Sequence, residues 1–405
     1  MRGNPFSLYK NAYSGLSSAT WWLSFVMLIN RSGTMVLPFM TIYLTSPSQG
    51  YSIGQAGIVM GLFGLGAVAG GFLGGKLTDK IGFFRVQMIA LLGGGLFFII
   101  LGQMHSFPGI CIFSFIVSMV NESFRPANST AIAFYSKEEN RTRSFSLNRL
   151  AINLGWAFGS AMGGFIAAYN YELLFWVDGI TNLCAAILMW FLLPPSKTNS
   201  EKKVSHQVAD PAHSAYKDQL FLVFLVLTTL FAICFFQVFN NLTAYFKIEL
   251  HFSEQYIGAL NALNGLIITV VEMVLIFQLE GKRGKMFYIA WGVLLVGFAY
   301  LMLNVFHMNA SLAIVMMIVI TFGEMFSMPF MNSFWISHTA AHNRGQYAGL
   351  YTIAWSVAQT CGPFLGAQVA QYNGFSALWW MVGCLCVTTS IGFILMHRYT
   401  TARER

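Results

Sequence analysis

The chain has 405 residues, of which 56% are apolar and only 9% carry charge. A soluble domain carries about 25% charged residues, so a water-facing surface of ordinary composition is excluded and lipid is the solvent that fits. The formal net charge of +8 needs its own explanation, which the placement of Lys and Arg supplies below.

The apolar residues fall in long runs, such as 86–102, 173–193, 220–239, 287–303 and 378–396. Crossing hydrocarbon takes about 20 apolar residues as a helix, and in lipid the backbone must satisfy its own hydrogen bonds. A β-barrel would show short alternating segments instead. The predicted fold is all-α and integral to a membrane, with twelve transmembrane helices.

Helix 1, near 18–44, continues too far for a cleavable signal peptide and carries Arg31 at its middle. Helices 2 and 3, near 53–77 and 84–103, are joined by Gly75-Lys76-Leu77-Thr78-Asp79-Lys80-Ile81-Gly82-Phe83-Phe84-Arg85. The preceding run from Gly70 to Lys76 approaches a phosphate-binding G-x-x-x-x-G-K. Leu77 stands where Ser or Thr is required and no strand precedes it, so ATP-driven transport gains no support. Helix 4, near 107–135, has Glu122 and Arg125 three apart and therefore on one face. Helix 5, near 144–168, carries Arg149 in its inner third, then Gly155-x-x-x-Gly159-Ser160-x-x-Gly163-Gly164. Helix 6, near 173–193, has Asp178 in its outer third.

A polar segment over 194–218 reads as a cytoplasmic linker between an N-terminal bundle, 1–193, and a C-terminal bundle, 219–405. Helices 7 and 8, near 217–247 and 255–279, carry Phe239 and Glu272. Helix 9 lies near 286–304, and helix 10, near 310–336, has Glu324 at its middle. Trp355 lies on helix 11, near 346–370, and helix 12 lies near 376–396. The cysteines at 111, 184, 234, 361, 384 and 386 all lie within helices and read as packing residues. No metal site, cofactor site or convergent catalytic set is expected.

With both termini on one side, 19 of the 23 Lys and Arg fall on that side and one, Lys247, on the other. The positive-inside rule then places both termini in the cytoplasm. The same asymmetry accounts for the basic balance, and a nucleic-acid partner is unnecessary. The two halves also match at an offset near 203. Asn140-Arg141 corresponds to Asn343-Arg344, Gly159-Ser160-x-x-Gly163 to Gly362-Pro363-x-x-Gly366, and Trp176 to Trp379. Glu122 corresponds to Glu324 at 202. A nearly constant offset over several helices implies duplication.

Duplicated parallel six-helix halves resemble the major facilitator superfamily, with two bundles related by a pseudo-two-fold axis. The loop from Gly75 to Arg85 resembles that family's G-x-L-a-D-r-x-G-r-k signature at Gly75, Leu77, Asp79, Lys80 and Gly82. Phe83 and Phe84 replace the usual basic pair, with Arg85 following. The resemblance implies a conformational latch centred on Asp79, with Gly75, Gly82 and Arg85. The glycines of helix 5 resemble the motif of the drug–proton antiporter branch, with Ser160 in place of Pro. Close helix packing is the alternative reading of Gly155, Gly159, Gly163 and Gly164. Arg125 is what matches the family's R-x-x-q-G motif.

Charged groups within spans are costly, by about 3 kcal/mol or more at mid-helix. Arg31, Glu122, Arg125, Arg149, Asp178, Glu272 and Glu324 must therefore face protein or water. The expected proton-coupling set is Glu122, Glu324, Arg125 and Asp178, with Arg31, Glu122, Glu324, Trp355 and Phe239 at a substrate cavity. A buried ion pair that merely fixes packing is the alternative. The resemblance implies a secondary transporter, a monomer in a bacterial inner membrane, whose partners are protons, lipid and a small-molecule substrate. Efflux of amphipathic organic compounds is the leading expectation. Proton-linked import of an anionic or zwitterionic metabolite, peptide or siderophore stands beside it, as does carriage of a lipid-like solute.

Overall fold

The structure is a computed structural model that describes residues 15–137, 141–194, 215–279, 282–338 and 344–403. Only the ends of the 194–218 linker are therefore described, and Asn140 and Asn343 of the repeat lie outside the described residues. Asp79 is placed as helical backbone, but its side chain lies outside the description.

All twelve predicted spans are helical, and nine described segments are long and apolar enough to cross a membrane. The last of these, Gly349–Thr400, holds two helices. They meet at Gly374, where φ is +83°, a value that glycine tolerates without a Cβ clash. Helix ends follow the sequence. Ser17 caps α1 (Ser18–Ser32) by accepting from Thr20 N–H, and Ser106 caps α5 (Phe107–Glu122), with Pro108 in the first turn.

Spans 1, 4 and 7 differ from the single helices expected. Span 1 is α1 followed by α2 (Val36–Thr45), and span 4 is α5 followed by α6 (Phe124–Tyr135). Span 7 is α9 (Gln219–Phe235) followed by α10 (Asn241–Ile248). Proline explains the first two. Pro38 and Pro126 supply no N–H to the carbonyl four residues earlier and their rings crowd it. The breaks at Gly33–Met35 and at Ser123 fall just upstream of those prolines. In span 7, side-chain amides compete with the backbone, as when Asn240 Nδ2 donates to Phe236 O at 3.2 Å. The unbroken spans are α3 (Ile53–Ile81), α4 (Phe83–Gly102), α7 (Arg141–Tyr169), α8 (Glu172–Leu192), α11 (Glu254–Leu279), α12 (Lys285–Val305) and α13 (Ala310–His338). The final helical segment is α14 (Arg344–Arg403).

The chain forms two compact units, Met1–Val36 with Leu65–Asn199, and Leu37–Gly64 with Ser200–Arg405. The first is centred on Leu23, Met27, Phe84, Ala90, Phe124, Ala131 and Met189, all buried. Its spans 2 and 4 approach through Gly66, Gly70 and Gly74. A Cβ at those positions would meet the backbone of Phe115, Met119 and Ser123. Glycine is what allows such contact between helices in lipid. The second unit packs Trp379 on Tyr300, stacked with centroids 5.6 Å apart, and also buries the rings of Phe224, Phe231 and Phe393. Leu37–Gly64 belongs to this unit through the first half of α3. Gln368 Nε2 donates to Gly54 O at 3.0 Å, and Gly54 N–H donates to Gln371 Oε1 at 3.2 Å.

Candidate functional site

The predicted residues are distributed over both units. In the first unit, α1 ends with Arg31 in its last turn, just before the break. The glycines of α7 lie against this turn. A Cβ at Gly155 would stand 2.7 Å from Arg31 Cβ and 2.9 Å from Leu28 O, and one at Gly159 would stand 2.8 Å from Ser32 O. Gly163 and Gly164 are buried further along the same helix. The glycine motif therefore seats span 5 on the backbone of span 1 next to its arginine.

Arg31 lies within coulombic reach of both Glu122 and Arg125. Among the described residues no direct ion pair joins Arg31 to Glu122. Its Nε is buried with no hydrogen-bond partner. Glu122 closes α5 and is half-buried, while Arg125, in the first turn of α6, is exposed. Arg149 is also exposed. Asp178 is buried at the break itself. Its carboxylate accepts from Met35 N–H at 2.9 and 3.2 Å and from Val36 N–H at 3.0 Å. Asn182, one turn on, accepts from Asn30 Nδ2 at 2.9 Å. A Cβ on Gly33 would overlap Thr181 Oγ1. Span 6 thus holds both sides of the break.

In the second unit Glu324, on α13, is half-buried. Asn264 Nδ2 of α11 donates to Glu324 Oε2 at 3.2 Å and to Thr321 Oγ1 at 3.0 Å. Thr321 in turn donates to Met317 O at 2.7 Å. Asn261, one turn before Asn264, is buried with its Nδ2 unpartnered. Glu272, on the same helix, is buried as well. The aromatic residues Trp355 and Phe239 belong to one ring cluster. Trp355 lies 6.2 Å from Phe235 and 6.0 Å from Phe236, and Phe239 lies 5.2 Å from Phe235. The glycine–proline pair of the repeat also meets a break, with Gln237 Nε2 donating to Gly362 O at 2.8 Å and Asn241 Nδ2 to Pro363 O at 3.2 Å.

The sequence reading missed Asn261, Asn264 and Thr321. The available signal was two amides three apart in an apolar span, which face one way and seek a partner across the helix interface.

The family model of the Major Facilitator Superfamily matches residues 20–360. The chain belongs to that superfamily. A relative described as an uncharacterized MFS-type transporter, YttB of Bacillus subtilis, is 25% identical over 87% of this chain and 88% of its own length. A Na(+), Li(+), K(+)/H(+) antiporter of Planococcus maritimus is 24% identical, over 92% and 94%. The quinolone resistance protein NorA of Staphylococcus aureus is 21% identical, over 88% and 91%. The solved structure of a peptide transporter POT in complex with sulfate superposes with a TM-score of 0.78 at 15% identity, covering 95% of this chain and 96% of that one. This likeness establishes the transporter fold that the spans and the repeat imply.

Proposed function

We propose that the protein is a proton-coupled antiporter that exports amphipathic, cationic organic compounds. The observation that carries this reading is Glu324, a half-buried carboxylate within a membrane span that is met by the neutral amide of Asn264. A carboxylate that accepts from a neutral amide inside a membrane span can exchange a proton or accept a cation as its surroundings change. The Phe235–Trp355 ring cluster in the same unit offers faces of the kind that bind organic cations. The relatives described as a quinolone resistance protein and a cation/proton antiporter support the same direction. In this reading Glu122 is the counterpart of Glu324 near Arg31. The segment around Asp79, with Gly75, Gly82 and Arg85, acts as the latch.

A second reading rests on Arg31, whose buried Nε lacks a partner and could hold a substrate carboxylate. The cargo would then be an anionic or zwitterionic metabolite. Proteoliposomes with an imposed pH gradient separate the two. Lipophilic cations are expected to exchange against protons, and small organic anions and peptides to give no gradient-driven flux. Gradient-driven accumulation of an anion or peptide, with no response to cations, overturns the efflux reading in favour of the second.

A further inference from the structure

Spans 1 and 7 are both broken, and the breaks are held by different chemistry. In the second unit the holders are neutral, Gln237 and Asn241 donating to the carbonyls of Gly362 and Pro363. In the first unit the holder is a carboxylate, Asp178, only 1% exposed, which accepts from Met35 and Val36 N–H. At the repeat offset of 203, Met381 stands where Asp178 would be expected. A broken span in this chain therefore does not need a charged side chain to hold it.

The charge of Asp178 is also held in an unusual way. Among the described residues it takes part in no ion pair. The compensation comes from the first N–H groups and the dipole of α2, a helix of ten residues. Among the described residues, the charged and titratable side chains on the helices packed around it are few. Arg31 is in the last turn of α1, Arg85 and Arg149 are exposed on α4 and α7, Tyr169 is exposed at the end of α7, Glu172 and Cys184 are exposed on α8, and Tyr43 is on α2. A carboxylate held by peptide N–H groups can give up its charge without stranding a cation. When its oxygen takes a proton, an O–H bond forms and that oxygen's grip on the N–H groups weakens. The break is also where the chain passes between units, since the boundary falls between Val36 and Leu37. Val36 donates the last of the Asp178 bonds.

From this geometry we infer that Asp178 is a proton-operated lock on the break in span 1. Ionised, it holds Met35 and Val36 and keeps the break in span 1 clasped by span 6. Protonated, it releases the start of α2. The inference rests on the reading of the chain as a proton-coupled carrier and adds to it a second proton site with a mechanical task.

The test is hydrogen exchange on the full-length wild-type protein in lipid nanodiscs, between about pH 8 and about pH 5, with rates corrected for intrinsic chemistry. Met35 N–H is shared with Gly33 O at 2.9 Å, so Val36 is the sharper probe. Protection of the segment 33–37 is expected to fall about tenfold as pH drops, the worth of one charge-assisted hydrogen bond. The segment 236–241, held by neutral amides, is expected to stay constant. Asp178→Asn is expected to show low, pH-independent protection at 33–37, and Asp178→Glu to keep a pH response. Flat protection in the wild type, or an unchanged pH response in Asp178→Asn, overturns the lock. If Asp178→Asn does not fold, the contrast between the two segments in the wild type decides. A flat segment 33–37 in a protein that still exchanges substrate for protons removes the lock alone. A titrating segment in a protein without such exchange removes the antiport reading instead.

Discussion

Glu324→Gln is expected to abolish substrate accumulation driven by a pH gradient while substrate exchange across the membrane continues. The amide keeps the shape of a protonated carboxyl and can still meet Asn264 of α11, whose Nδ2 lies 3.2 Å from Glu324 Oε2. It cannot lose a proton, so it cannot alternate between the two forms. One pH unit is worth about 1.4 kcal/mol per proton, which supports about a tenfold concentration ratio for one-for-one exchange. In the variant that ratio is expected to collapse to about one. Asn264→Ala should leave accumulation present but move its pH dependence, because it removes a donor that steadies the ionised form. Wild-type accumulation in Glu324→Gln would reduce Glu324 to a packing residue.

The second large effect concerns the fold. Gly70→Leu is expected to prevent stable assembly of the first unit. A Cβ at Gly70 would meet the main chain of Met119, and Gly66 and Gly74 make the same kind of approach to Phe115 and Ser123. A side chain in the way can rotate aside, but a backbone carbonyl cannot. Overpacking costs about 1–3 kcal/mol where neighbours can adjust, and here the whole span must move. The variant should express poorly and melt well below the wild type in detergent. Gly71→Ala and Gly75→Ala are the matched controls, since nothing lies within 4 Å of an added Cβ at either position. Both should melt with the wild type, and a wild-type melting temperature for Gly70→Leu would refute the glycine contact.

Much of this architecture is legible in the sequence because lipid enforces simple rules. Span positions followed from apolar runs, and the glycine spacing of helix 5 marked a close contact, which proves to be with Leu28, Arg31 and Ser32. The breaks in spans 1, 4 and 7 were not legible because hydrophobicity continues through them. Pro38 and Pro126 were the signals, but proline alone does not settle the matter, since Pro329 sits inside an unbroken helix. Arg31 and Glu122 could be ranked by depth, but the ranking does not show that Arg31 Nε is buried without a hydrogen-bond partner. The Asp178 bonds to Met35 and Val36 could not be read from sequence, because they join backbone groups to a side chain 142 or 143 residues away. Asn264 and Glu324 are likewise 60 residues apart, and only the packing of spans 8 and 10 brings them together.

Proton movement during substrate flux tests the central claim most directly. Proteoliposomes loaded with a pH-sensitive dye and given no starting pH gradient would receive an external pulse of a lipophilic cation. Antiport predicts that protons leave as the cation enters, so the interior turns alkaline, and that Glu324→Gln abolishes the signal. An interior that acidifies with substrate entry, or that stays unchanged while substrate crosses at the full rate, would contradict proton-coupled antiport.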